Sequence, residues 1–130
     1  KKMNVEVIFA DNHQYCFADR DRIIQVIINL IENAIKYGNE GGKIQIETYA
    51  KGDKVFTSIF NTGENISKED INKIWERFYK VDKSRTNKIS TGLGLSIVRL
   101  ILTQHKQDIW INNIPDKGVK FTFTLKRTTK

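Results

Sequence analysis

Two carboxamides four residues apart, Asn29 and Asn33, with Lys36 less than one turn beyond, combine residue types and spacing that could do chemistry. On a helix advancing about 100° per residue, Arg22, Gln25, Asn29, Glu32, Asn33 and Lys36 share one side. Ile23, Ile24, Ile27, Ile28, Leu30, Ile31, Ala34 and Ile35 share the other. Solvated helix faces are usually built from glutamate and lysine, so paired amides stand out. Their oxygens are neutral, hard donors that suit Mg²⁺, and an ammonium nearby suits phosphate. Thr91-Gly-Leu-Gly-Leu95 adds a glycine pair opening a second helix, where bare backbone N–H groups and the helix dipole favour an anion. Together the two stretches predict a magnesium–nucleotide site. The glycine turn is not a P-loop, because no Gly-Lys-Ser/Thr follows, and it lacks the third glycine of a dinucleotide fingerprint. A hydrolase would also need a carboxylate to orient or deprotonate water, and Glu32 sits only at the rim of the polar stripe.

Two weaker patterns lie between these. In Asn61-Thr-Gly63-Glu-Asn65-Ile66, a polar side chain could read a base edge while the glycine allows close approach and Ile66 packs on the base face. An ordinary turn fits the same letters. Ile74-Trp-Glu-Arg77-Phe-Tyr-Lys80 leads into a basic stretch whose Lys80, Lys83, Arg85 and Lys88 could close over a polyphosphate. A lysine-rich surface loop fits equally well.

The elements that must position these residues follow from periodicity and turn chemistry. Val5–Phe9 and Tyr15–Ala18 read as strands joined by the turn-forming Asp11-Asn12. Asp19 or Asp21 can cap a helix running to about Tyr37, which Gly38 ends. Lys43–Ala50 and Val55–Phe60 make a hairpin around Lys51-Gly52-Asp53, and Asn61-Thr-Gly63 breaks the second strand. Ser67 with Asp70 is a variant capping box for a short helix that places Ile71, Ile74, Trp75 and Phe78 on one face. Residues 79–90 are polar and basic and read as a loop. Thr91 caps a helix with Leu95, Val98, Ile101 and Leu102 inward, ending near His105. Ile109–Ile111 and Val119–Leu125 are the last strands, connected by Asn112-Asn113 and Pro115–Gly118. One-faced alternation favours a mostly antiparallel sheet with helices packed on one side: an α/β sandwich.

The 130 residues suit one domain, and the net charge of +7, from 22 basic and 15 acidic residues, is spread along the chain. No zinc spacing, basic helix or aromatic RNA-binding signature marks a nucleic-acid partner. No apolar run approaches the ~20 residues of a membrane span. Cys16, the single cysteine, precludes an internal disulfide and reads as a small core residue.

In this order the four stretches resemble the catalytic, ATP-binding domain of bacterial sensor histidine kinases, within the group that includes DNA gyrase B, the mismatch-repair protein MutL and the heat-shock chaperone. Asn29–Tyr37 is similar to the N box, Asn61–Ile66 to the G1 box, Trp75–Lys80 to the F box and Gly92–Leu95 to the G2 box. The Trp75–Arg85 string looks most like kinases of Gram-positive bacteria. The resemblance spans the whole chain. It implies a Bergerat-type two-layer α/β (α+β) sandwich, a mixed, mostly antiparallel sheet packed on one face by three helices, over residues 1–130. It implies that Asn33, helped by Asn29, ligates Mg²⁺, with Asn29 and Lys36 serving catalysis. Lys36 and Lys80 would contact the ATP phosphates, and Tyr37 and Tyr79 would lie by the nucleotide. Asn61 would meet the adenine amino group beside Gly63 and Ile66, and Thr91, Gly92, Leu93, Gly94 and Leu95 would cradle phosphate. The lid would span roughly Val81–Thr91.

Hydrolysing relatives carry a glutamate base at the position of Asn29. An amide takes no proton from water, so the γ-phosphate would be kept for a histidine. Neither histidine here fits that acceptor, since His13 precedes Gln14 and His105 precedes Lys106. The resemblance therefore implies a fragment of a longer kinase, cytoplasmic and membrane-linked only through its missing part. Its partner would be the kinase's own dimerisation domain, with a response regulator downstream and no nucleic acid. Three departures matter: Asn61 stands for the usual aspartate, weakening adenine recognition. Ile89-Ser90 replaces lid glycines, and Lys106-Gln107 replaces a glycine pair after the final helix. A docking module without turnover is the alternative, while an ATPase clamp is disfavoured by Asn29.

Overall fold

The computed structural model describes residues 2–9, 15–76 and 94–128. Along the chain run β1 (Asn4–Phe9), β2 (Tyr15–Phe17), α1 (Arg20–Tyr37), β3 (Lys43–Lys51), β4 (Lys54–Thr62), α2 (Lys68–Ile71), α3 (Gly94–Gln104), β5 (Ile109–Ile114) and β6 (Gly118–Thr128). The strands form one mixed sheet in the order β1-β3-β4-β6-β2, with β5 also paired to β6. Only the β1–β3 pair is parallel among the described strands.

β1 and β2 are not a hairpin. β1 pairs with β3 at one edge and β2 with the end of β6 at the other, while Asp11-Asn12 lie outside the described residues. Parallel pairing requires a crossover, and α1 provides it between β1 and β3. Two strand ends also move. β4 continues through Asn61 and Thr62, because Asn61 is held on both sides by Ile44 and Val119 in the ladder. β5 continues through Asn112 and Asn113 to Ile114, so the connecting turn is shorter than the sequence pattern suggests.

Val55, Thr57, Ile59 and Asn61 alternate onto the sheet face that carries Leu125, Phe123, Phe121 and Val119, and α1 and α3 pack on that face. Ile23, Val26, Leu30 and Ala34 of α1 and Val98, Ile101 and Leu102 of α3 complete the core. Ile74 and Trp75 join it from beyond α2, with Trp75 edge-on to Phe121 at 5.9 Å. On the outer face Tyr49 stacks on Phe56 and Trp110 meets Phe56 edge-on, opposite Thr122 and Thr124, which are buried too.

α1 is rolled relative to its own hydrophobic stripe. Val26, between the two sides of the wheel, is 0% exposed, whereas Ile24, Ile28 and Ile35 are 42%, 49% and 42% exposed. The roll brings the carboxamide flank toward the core and leaves an isoleucine flank outside.

Capping follows the sequence. The Asp19 side chain accepts from Arg22 N at 3.2 Å, and its own N–H donates to His105 Nε2 at 3.0 Å. His105 Nδ1–H donates in turn to Ile101 O at 2.8 Å, so the histidine ties the end of α3 to the start of α1. Ser67 Oγ accepts from Asp70 N and donates to the Asp70 carboxylate.

Past α3, Gln107 N donates to Leu102 O and Lys106 N to Thr103 O, a Schellman closure with Lys106 at φ 59°. That left-handed position costs an L side chain about 1–2 kcal/mol and a glycine almost nothing. Lys106→Gly is therefore expected to raise stability by about 1 kcal/mol in urea unfolding. An unchanged or lower midpoint would show that the lysine is at ease there.

Candidate functional site

Four of the residues singled out by sequence lie along the inward-rolled flank of α1. Asn29 is half-buried and its Nδ2 donates to Gly94 O at 3.3 Å, joining the amide helix to the first residue of α3. Asn33, one turn on, is also half-buried, and its carboxamide takes no partner among the described residues. Lys36 Nζ lies 4.7 Å from the centre of the Tyr37 ring. With a rise of ~1.5 Å per residue, Asn29 to Tyr37 spans about 12 Å along the helix. The end of α1 then meets the end of β4 through the Gly38–Gly63 bridge.

Gly63 is where close approach is needed. It adopts φ 150°, and a Cβ there would stand 2.9 Å from Tyr37 O. Its N–H donates to Lys117 O at 3.0 Å, so the end of β4 also touches the β5–β6 turn.

Asn61 lies two residues before, 3% exposed, on the helix-packed face. Its Nδ2 donates to Thr62 O at 3.2 Å, and its Oδ1 accepts nothing from the described residues. An acceptor oxygen on a buried amide, next to a glycine, is a fitting reader of an amino group on a flat ring.

Ile66 packs against the core, and its backbone is held by a residue that sequence reasoning assigned to a connection. Asn113 Oδ1 accepts from Ile66 N at 2.9 Å and Asn113 Nδ2 donates to Ile66 O at 2.8 Å. Asn65 Nδ2 donates to Ile114 O and Gly118 O. The signal that could have found Asn113 is its period-2 place behind Ile109 and Ile111, which puts a carboxamide on the inward face.

Tyr79, Lys80, Thr91, Gly92 and Leu93 lie outside the described residues, as do Phe78, the Val81–Thr91 lid and Ile89-Ser90. Of the glycine turn, Gly94 begins α3 and Leu95 packs half-buried against the core. A Cβ built on Gly94 meets nothing within 4 Å among the described residues, so the backbone is approachable. Glu32 is exposed. Cys16 is remote from the site by register, and burial pushes its thiol above its ordinary range.

A model of the histidine kinase-, DNA gyrase B- and HSP90-like ATPase family matches residues 18–129. The chain belongs to this ATPase family. It is similar to the sensor histidine kinase WalK of Bacillus subtilis (strain 168), 41% identical over 130 residues, covering 96% of this chain and 21% of WalK. The catalytic domain of the histidine kinase ThkA superposes with a TM-score of 0.85 at 36% identity, covering 97% of this chain and 80% of that one. A structure of ThkA in complex with the response regulator TrrA matches with a TM-score of 0.80 at 34% identity, covering 97% of this chain and 34% of that one. The chain thus corresponds to the catalytic-domain portion of histidine kinases and spans about a fifth of the length of WalK. The mixed sheet with helices on one face is the fold of those domains. No helix among the described residues is long and apolar enough to cross a membrane.

Proposed function

We propose that this domain binds Mg·ATP between α1 and the turn opening α3, and donates the γ-phosphate to a histidine on a separate dimerisation domain in two-component signalling. The observation that carries this is the Asn29 Nδ2–Gly94 O contact, which sets the carboxamide helix against the glycine turn. The donor set suits magnesium: Asn33 offers a carboxamide uncommitted among the described residues, and Asn29 keeps its oxygen after its nitrogen is spent on Gly94. Mg²⁺, when bound, neutralises phosphate charge.

The chain's own groups do the rest. Asn61 Oδ1 accepts from the adenine amine, because Thr62 O already holds the amide nitrogen. Ile66 covers the base face, Gly63 and Tyr37 border the ring, and Lys36 reaches phosphate. Thr91, Gly92, Leu93, Tyr79 and Lys80, which lie outside the described residues, are assigned to nucleotide binding on the same reading. Neutral Asn29 takes no proton from water, so hydrolysis is slow and the phosphoryl group is kept for the histidine. Positioning and charge neutralisation supply the catalysis. The domain acts on the cytoplasmic side of a membrane-anchored sensor, and a response regulator receives the phosphate afterwards.

Asn61 favours one other reading, a docking module with weakened nucleotide binding, because a neutral amide lacks the charge assistance of an aspartate. A titration with fluorescent ATP, with and without Mg²⁺, separates the two. Saturable, Mg²⁺-dependent binding is expected, and none at millimolar nucleotide leaves the docking module. Adding the dimerisation bundle of the same kinase and labelled ATP should yield phosphoprotein. Free phosphate without phosphoprotein would indicate an ATPase clamp instead.

A further inference from the structure

Resting on the nucleotide reading above, we infer that Asn113 is a positioning residue for base recognition, acting by holding the backbone of Ile66. Between β4 and α2, residues 64–67 belong to no strand or helix, so their backbone groups have no ladder to pair with. The Asn113 carboxamide supplies what a neighbouring strand would: an acceptor at 2.9 Å for Ile66 N–H and a donor at 2.8 Å for Ile66 C=O. A carboxamide has the donor and acceptor geometry of a peptide group, and both sides of the residue are satisfied at once.

A second stitch runs the opposite way. Asn65, next to Ile66, donates to Ile114 O at 3.1 Å and Gly118 O at 2.8 Å, the two residues that pair across the β5–β6 turn. The loop that carries the base wall and the end of β5 that carries Asn113 therefore grip each other reciprocally.

Register places this device beside the base reader. Asn61 pairs with Val119, and Val119 pairs with Asn113, so the three form one row on the helix-packed face. Two strand spacings of ~4.8 Å put the Asn61 and Asn113 backbones about 10 Å apart. One carboxamide of the row meets the edge of the ring, and the other fixes the residue that lies against its face. The gap between Asn61 and Ile66 is then set by Asn113, and that gap decides how well a purine with a 6-amino group seats.

Asn113→Asp tests this with almost no change of shape. The carboxylate still accepts from Ile66 N–H, but an oxygen replaces the donor facing Ile66 O. Loss of one hydrogen bond and the added repulsion are expected to weaken ATP roughly fivefold and to narrow the preference for ATP over GTP. Affinity for inorganic tripolyphosphate with Mg²⁺ is expected to stay near the parent's, while the thermal midpoint falls modestly, because the lost bond and the repulsion act on the unliganded fold as well. Equal losses of ATP and tripolyphosphate, or unchanged ATP affinity in a variant of a protein that binds ATP normally, would overturn the inference alone. A parent that binds neither ligand overturns the nucleotide reading and this inference with it. Asn113→Ser, whose shorter side chain cannot reproduce the two bonds and adds no charge, gives the same comparison should the aspartate variant not fold.

Discussion

Asn33→Ala is expected to abolish the Mg²⁺-dependent part of nucleotide binding while leaving the fold at least as stable as the parent. The carboxamide makes no bond to the described residues, so its removal breaks no hydrogen bond among them. Alanine is also the better helix former at an interior position of α1, by about 0.6 kcal/mol or somewhat less. A metal donor is different: even groups that only orient a metal ligand change affinity about 10–100-fold when removed, and a direct donor should matter at least as much. The expected signature is thus a loss of at least about tenfold in ATP affinity with Mg²⁺, little change in EDTA, and an unlowered melting midpoint. Asn29→Ala should look different, because it also removes the tie to Gly94 and so loosens the junction of α1 with α3. Full affinity in Asn33→Ala, measured by fluorescent ATP with and without Mg²⁺, would remove the metal assignment.

What the sequence told and withheld divides along physical lines. α1, its Asp19 cap, the Ser67 cap, the β3–β4 hairpin and the inward face of β6 were legible because each is set by residues close together in the chain. The roll of α1 was not. Periodicity says that Ile24, Ile28 and Ile35 are apolar, but only the neighbours decide which apolar arc is covered, and here the packing favours Val26 and the amide flank. The partners of β1 and β2 were not legible for a related reason, since each pairs with a strand distant in sequence at opposite edges of the sheet.

Polar residues were the other blind spot. Asn61 and Asn113 read as turn formers, yet both sit in strands beside apolar partners, Asn61 between Ile44 and Val119 and Asn113 against Val119, with backbone atoms holding the Asn61 nitrogen and both ends of the Asn113 amide. Asn29, Asn33 and Lys36 could be singled out as a candidate site because their chemistry lies in the side-chain type itself. Asn113 could not, since it acts on a backbone 47 residues away.

Gly118→Ala is expected to be the most damaging small substitution in the described sheet. A Cβ at Gly118 would collide with the carbonyl oxygen and carbon of Asn61 and stand 2.9 Å from Thr62 Cα. Every one of those atoms is backbone in the neighbouring strand, so no side chain can swing aside and β4 itself must move away from β6. Overpacking of this kind costs about 1–3 kcal/mol and sometimes more, and here it falls where Asn65 also grips Gly118 O. The damage therefore reaches the proposed base site twice, through the displaced Asn61 and through the loosened loop that carries Ile66. Urea unfolding should show a clearly lowered midpoint, with ATP affinity falling alongside it.

Gly94→Ala is the contrasting case. Its Cβ enters open space among the described residues, and alanine favours the helix that begins there, so the midpoint should hold. If ATP binding nevertheless falls in Gly94→Ala, the methyl group is obstructing the ligand and not the protein. An unaltered midpoint in Gly118→Ala would mean that β4 and β6 can part locally at no cost, and the close approach of Gly118 to Asn61 would then no longer explain how the base side is held.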